Sequence, residues 1–284
     1  MSKKNIKITS AAILTVVIIV IVAYNKLSLY KADVNMPILM YHHIDSNIEN
    51  SGYTIVTPDK FKSDMQWLKE KGYNTIFFGD IVNYVNGKGK LPKNPILISF
   101  DDGYLSNYEY AYPILKELDM KATIFIIGWS VGRDKHKDNI TDIYAHFTYE
   151  QAKEMYESGN IDIQSHTYDM HNDDEFRSGM TQNTNESLSD YKLYLANDLN
   201  KLEDLVLENI NKNISFISYP YGKYSENTTI VLKELGYMAA VTTEHGSNII
   251  KRGDTELFYL KRINISQSTT MESIEDLITP SNKK

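Results

Sequence analysis

Two carboxylates stand side by side in Ile96-Leu97-Ile98-Ser99-Phe100-Asp101-Asp102-Gly103, at the end of an apolar run and just before a glycine. Such a pair can divide labour, one carboxylate taking a proton from water and the other binding a cation, provided both reach one pocket. Neighbours on a strand point to opposite faces, so the turn permitted by Gly103 would have to bring them together. Asp-Asp-Gly is equally an ordinary turn that caps a following helix, and the motif alone leaves both readings open.

Ser165-His166-Thr167-Tyr168-Asp169-Met170-His171 follows a second apolar run. Neutral imidazoles with a carboxylate suit Zn²⁺ or a similar ion and leave coordination positions for water and substrate. Two histidines five apart do not share a helix face, so the arrangement is a loop. A lone histidine pair also fits a solvated surface. However, of the 7 histidines in the chain, His42, His43, His166 and His171 all lie at or just past predicted strand ends, which favours a site. Ser218-Tyr219-Pro220-Tyr221-Gly222 ends a further run in a tight turn whose exposed N–H groups could hold a developing oxyanion, or could simply reverse the chain. In Pro37-Ile38-Leu39-Met40-Tyr41-His42-His43-Ile44, strand alternation lets only one of the two histidines face a pocket.

These motifs need strands to position them. Period and β-branched content predict strands at Ile38 to Tyr41, Asn74 to Phe77, Ile96 to Phe100, Ala122 to Ile127, Ile161 to Gln164, Ile214 to Tyr219, Met238 to Val241 and Tyr259 to Ile265. Helices alternate with them. Thr57 as N-cap, Pro58 at N1, an apolar face of Phe61, Met65 and Leu68, and Gly72 as stop mark the first; Thr148 and Gly159 bracket another. Ser189 to about Asn209 and Glu226 to Leu235 complete the set. The alternation predicts an α/β fold with a parallel sheet, either closed into a barrel or open and doubly wound. Residues 172 to 187 lack apolar periodicity and read as a mobile loop.

Composition narrows the chemistry. The 284 residues include no cysteine, so disulfides, thiolate nucleophiles and Cys-ligated metals are excluded. No glycine-rich phosphate-binding motif follows a strand, which argues against a nucleotide cofactor. Lys3, Lys4, Lys7, Lys26 and Lys31 fall in the first 32 residues, which hold no acid, so the remainder carries 25 basic and 37 acidic side chains. That balance disfavours nucleic acid and favours a neutral or cationic partner. Ile8 to Tyr24 is seventeen residues without a charge behind a basic start. It reads as an uncleaved signal anchor, with a cleaved signal peptide or a buried core helix as alternatives. Residues 1–32 would then be anchor and short stalk and residues 33–284 a catalytic domain outside the cell membrane, single-pass, or secreted if the segment is cleaved.

Taken together and in this order, the four motifs resemble the polysaccharide deacetylase family with the NodB homology domain, carbohydrate esterase family 4. The resemblance runs from about Pro37 to Ile265, and SFDDG is its most specific part. It implies a distorted (β/α)7 barrel. It implies Asp101 as general base, Asp102, His166 and His171 as ligands of a divalent ion, Zn²⁺ first with Co²⁺, Ni²⁺ or Fe²⁺ acceptable, and Tyr221 with Pro220 and Gly222 as a substrate-binding turn whose N–H stabilises an oxyanion. The histidine spacing is one residue longer than the His-Ser-x-x-His of many members. That spacing, the MYHHI opening and YPYG together look most like the poly-β-1,6-N-acetylglucosamine deacetylase branch, where the histidine after the opening tyrosine is the general acid, here His42. The arginine that often precedes the PPYG turn is missing, with Ser218 nearby, and Arg262 in KRINI is a candidate to orient Asp101 instead. The implied activity is metal-dependent N-deacetylation of an extracellular N-acetylglucosamine polymer, poly-β-1,6-N-acetylglucosamine before peptidoglycan. A non-catalytic glycan-binding module on the same fold is the alternative from another class, and the presence of both carboxylates and both histidines argues against it.

Overall fold

The computed structural model describes residues 33–47, 54–133, 144–175 and 177–279. The segment read as a membrane anchor, and the boundary at residue 32, lie outside them. Among the described residues no helix is long and apolar enough to cross a membrane.

All eight predicted strands form: β1 (Ile38–Tyr41), β2 (Asn74–Thr75), β3 (Pro95–Phe100), β4 (Ala122–Ile126), β5 (Ile161–Ser165), β6 (Phe216–Ser218), β7 (Ala239–His245) and β8 (Leu260–Asn264). They pair in parallel in the order β1-β8-β7-β6-β5-β4-β3-β2, and β1 also pairs with β3, from Ile38 opposite Leu97 to Tyr41 opposite Phe100. Seven strands therefore close into a barrel, with β2 as a spur on β3. Closure is weakest between β5 and β6, which share one residue pair, Ser165 and Ile217. There the Gln164 side chain takes the place of a ladder, its Oε1 accepting from the Ser215 and Phe216 amides at 3.0 Å each.

The helices are α1 (Pro58–Glu70), α2 (Phe78–Val85), α3 (Tyr112–Glu117) behind a π-turn at Asn107–Ala111, α4 (Tyr149–Glu157), α5 (Leu188–Ile210), α6 (Glu226–Glu234) and a final short turn, α7 (Glu275–Ile278). The Thr57 hydroxyl accepts from the Lys60 amide as the N-cap of α1, Phe61, Met65 and Leu68 are buried, and the chain leaves through Gly72 at φ +76°. Helix α2 is absent from the predicted set because its apolar FGDIVNYV runs on from the strand expected at Asn74 to Phe77. The described residues of the predicted mobile loop form no helix or strand but are well tied. Arg177 pairs with Glu186 at 2.8 Å, the Gly179 amide donates to Asn172 O at 2.7 Å, and Met180 is buried. Its polar side chains satisfy its own backbone, which composition alone does not reveal.

The pleat sorts the strand residues into two cores. Leu39, Tyr41, Ile96, Ile98, Phe100, Ile124, Ile126, Ile163 and Ile217 pack outward under the helices. Ile38, Leu97, Phe125, Phe216, Val241 and Leu260 fill the barrel together with Phe78, Ile81, Tyr84 and Val85 of α2. Helix α2 thus plugs the end where the strands begin, its Phe78 ring 5.6 Å from both Phe125 and Phe216. With that end filled, the opening available to a substrate is at the carboxyl ends of the strands. Phe78→Ala removes a side chain that is 1% exposed at the centre of the plug and should cost about 3–5 kcal/mol. Chemical denaturation should read this as a lower midpoint at unchanged slope.

Candidate metal centre and active site

Positions of one parity along each strand line the barrel, and the last inward residue at the open end is polar on five strands. On β3 the series is Leu97, Ser99, Asp101; on β1 it is Ile38, Met40, His42; on β5 it ends in His166, on β6 in Ser218, and on β8 it runs Leu260, Arg262, Asn264. Asp101 still lies in register, its amide donating to Tyr41 O at 3.1 Å. The chain then turns through Asp102 at φ +75° and Gly103 at φ +79°, so two adjacent carboxylates converge. Aspartate tolerates the left-handed region. At Gly103 a Cβ would also meet the Ile126 side chain at 3.0 Å, so only glycine completes this turn without strain.

Thr167, between the two histidines, is held at φ +70°, a strained setting for a β-branched residue. Its amide donates to Ser165 Oγ at 3.0 Å, its hydroxyl accepts from the Met170 amide at 3.1 Å, and its carbonyl accepts from the Gly128 amide at 3.0 Å. The next two amides are also held: Tyr168 N and Asp169 N donate to the two carboxylate oxygens of Asp198 on α5, at 2.8 and 2.7 Å. One turn further along α5, the Lys201 ammonium lies 4.0 Å from the Tyr168 ring. The His166 Nδ1–H donates to Ser218 O at 2.8 Å, which leaves Nε2 as the acceptor turned into the barrel.

The result is a three-donor cluster. Nε2 of His166 and of His171 lie 3.5 and 3.4 Å from Asp102 Oδ1, and one ligand atom from each of the three lies within 4.8 Å of the others. Ligand atoms bonded at about 2.0–2.1 Å to a tetrahedral ion sit about 3.4 Å apart, so the spacing suits a small divalent cation. Asp102 Oδ1 is buried and takes no hydrogen bond from the described residues, an unmet acceptor that a cation would satisfy.

Asp101 stands beside this cluster, its Oδ2 4.0 Å from His166 Nε2. Arg262 grips it through both guanidinium nitrogens, Nη1 to Oδ1 and Nη2 to Oδ2 at 2.7 Å each. Arg262 is completely buried; its Nε donates to Thr242 O at 2.8 Å and Nη2 to Ser218 Oγ at 2.9 Å, and Ser218 in turn donates to Asp101 Oδ2 at 3.0 Å. Burial disfavours the Asp101 charge, but Arg262, then His166 and His42, outweigh it and hold the carboxyl well below the usual range. Asp102 is lowered too: its burial is overcome by His171, His42 and His166.

The two opening histidines part company. His42 shares the inward parity of Ile38, its charge couples to both carboxylates, and its Nδ1 is buried with no hydrogen-bond partner among the described residues. Burial lowers its pKa despite those carboxylates. His43 turns the other way, with Nδ1 2.9 Å from Ser106 Oγ and its ring 4.0 Å from that of Tyr144. Tyr221, at φ +54° in the Pro220–Gly222 turn, lays a half-exposed ring 4.4 Å from His171. Gly222 allows the turn because a Cβ there would sit 2.1 Å from Thr243 Oγ1.

Residues 88–240 match the family model for polysaccharide deacetylases. YxkH of Bacillus subtilis is 37% identical over 81% of this chain and 71% of its own length. The chain belongs to the polysaccharide deacetylase family. A poly-β-1,6-N-acetyl-D-glucosamine N-deacetylase of Staphylococcus aureus is 31% identical over 79% of this chain and 72% of its own length. A solved Streptococcus pyogenes deacetylase, in complex with acetate, superposes with a TM-score of 0.71 at 27% identity, covering 88% of this chain and 100% of that one. IcaB from Ammonifex degensii shares the fold, with a TM-score of 0.71 at 23% identity over 87% of this chain and 97% of that one.

In this deacetylase, therefore, the barrel brings Asp101, Asp102, His166, His171 and His42 to one end, with the Tyr221 turn against His171. Sequence reasoning missed Asp198. Its one signal was an acid on α5 adjoining the buried stripe of Leu195, Leu199 and Leu202. Loss of a carboxylate that fixes a ligand loop typically costs 10–100-fold in metal affinity. Asp198→Ala should weaken divalent-metal binding by about that factor in a chelator competition, and amide exchange at Tyr168 and Asp169 should quicken in the metal-free protein.

Arg262→Ala leaves the Asp101 carboxylate buried without its partner and should cost about 3–5 kcal/mol at neutral pH. The sign follows from the lowered pKa. In the unsubstituted protein the contribution of the pair is present above the ordinary carboxylate value of about 4 and fades as pH falls through the lower folded value. In the variant, burial favours the protonated acid, so the deficit measured by denaturation should be larger at pH 7 than at pH 4.

Proposed function

We propose that this deacetylase removes acetyl groups from N-acetylglucosamine units of an extracellular polysaccharide, poly-β-1,6-N-acetylglucosamine first, with a divalent metal as cofactor and with residues 1–32 as its membrane anchor. The observation that carries the reading is a carboxylate beside, rather than within, a three-donor cluster: a binding module has no use for a base next to a metal. The Staphylococcus aureus relative bears the name of this reaction, which supports the choice of polymer.

A divalent ion held by Asp102, His166 and His171, Zn²⁺ first and Co²⁺, Ni²⁺ or Fe²⁺ by the same donors, supplies Lewis-acid polarisation of the acetamide carbonyl and a more acidic water. Asp101, ionised and fixed in orientation by Arg262 and Ser218, takes the proton of the attacking water. The Tyr221 N–H faces the charge that develops on the acetyl oxygen, and its ring offers a stacking surface for a sugar. His42 delivers a proton to the departing amine, which is a poor leaving group until protonated.

The roles separate by substitution. Asp101→Asn should keep the metal and lose about 10²–10⁴ in kcat, whereas Asp102→Asn should lose both. His42→Ala should keep the metal, fall by about 10² or more and lose the high-pH limb of the kcat/KM profile, with His43→Ala within several-fold of the unsubstituted enzyme. The substrate assignment is tested by acetate release from β-1,6- and β-1,4-linked N-acetylglucosamine oligomers, with and without chelator. Release from the β-1,4 series alone would move the substrate to peptidoglycan, and release from neither would favour a binding module.

A further inference from the structure

Two loops at opposite ends of the barrel carry opposite charge. At the closed end, the loop of residues 86–94 enters β3 carrying Lys88, Lys90 and Lys93, and the sequence has no acid between Asp80 and Asp101. All three lysines are exposed, and none has an ion-pair partner among the described residues. The loop is held in place rather than loosely hung. Arg252 Nη2 donates to Gly89 O at 2.7 Å, and the Gly253 amide donates to Val85 O at 2.8 Å. At the open end the order is reversed, with Asp173, Asp174 and Glu175 exposed on the loop after His171.

The chain also begins its described course at the closed end. Val34–Met36 pairs antiparallel with Asn248–Ile250, just before Lys251 and Arg252, and the Lys251 ammonium lies 3.3 Å from Asp33. Between Tyr24, where the uncharged segment ends, and Asp33 the sequence has eight residues, including Lys26 and Lys31. Fully extended, they reach about 30 Å.

We propose that the closed end, through Lys88, Lys90 and Lys93, rests on an anionic lipid surface and so points the active-site mouth away from the bilayer. Attraction between lysines and anionic headgroups acts only within a Debye length of about 8–10 Å, so the contact has to be direct, and a linker of this length would allow it. The acidic rim at the other end opposes the inverted orientation. The proposal rests on the anchor reading, and it places the site a barrel's height from the membrane, where a polymer already extruded from the cell is met.

Because the chain has no cysteine, single cysteines can report this orientation in the full-length protein. Asn86→Cys at the closed end and Glu226→Cys near the mouth, both exposed positions, would each carry a fluorophore in vesicles containing a headgroup-quencher lipid. In phosphatidylglycerol-rich vesicles, position 86 should be quenched several-fold more than position 226. The difference should vanish in 0.5 M salt, in pure phosphatidylcholine, or with Lys88→Glu, Lys90→Glu and Lys93→Glu combined. Equal quenching at both positions, or quenching at 86 indifferent to lipid charge, would overturn the proposal. Failure of the anchor reading shows separately, as a chain that does not stay with phosphatidylcholine vesicles at all. In that case salt-sensitive, lysine-dependent binding to phosphatidylglycerol vesicles still supports the basic face, and binding only to a soluble anionic polymer overturns it.

Discussion

A guanidinium with no exposed surface sits at the centre of the barrel, and the site is arranged around its charge. Arg262 would be costly to bury alone. Its bonds to Thr242 O, Ser218 Oγ and both oxygens of Asp101 satisfy it, and the last pair also fixes the carboxylate in ionised form and in one orientation. Ser218 is shared further: its hydroxyl donates to Asp101 while its carbonyl accepts from His166, so the proposed base and a candidate metal ligand are braced by one residue of β6. This is also where β5 and β6 touch at a single pair, so the polar network spans the thinnest part of the barrel wall.

The second constraint is conformational. Asp102, Thr167 and Tyr221 all hold φ above +50°, each at the point where a strand has given way to a loop carrying a site residue. Such settings persist only where surrounding bonds over-determine them. Thr167 is fixed by three hydrogen bonds and the amides after it by Asp198, so the strain is spent on turning His166 and His171 toward the same carboxylate.

The plug formed by α2 explains why the chemistry lies at one end. Phe78, Ile81, Tyr84 and Val85 fill the beginning of the barrel with apolar side chains, and the inward positions become polar only toward the strand ends. Charge that would be costly deep in that core is tolerable near the mouth, where partners and water are at hand. The same polarity leaves the lysines of residues 86–94 on one end of the molecule and the carboxylates of the site on the other.

Strand positions, the caps of α1 and α4 and the reactive motifs were legible in the sequence because each depends on period or spacing over a few residues. Asp101-Asp102-Gly103 declares its own turn, and Thr57-Pro58 its own helix start. The predicted alternation left barrel and open sheet undecided, since closure is a pairing of β1 with β3 across 59 positions that no local pattern encodes. Which of His42 and His43 turns inward became visible only when β1 joined the ring and gave its two parities different surroundings. Arg262 was nameable as a candidate, but it lies 161 residues from Asp101 and 44 from Ser218, and Asp198 lies 30 from the amide it holds. The sequence by itself settled which groups are present and in what local setting. Only the closed barrel decided which of them meet, because buried charges find their partners across strands and not along the chain.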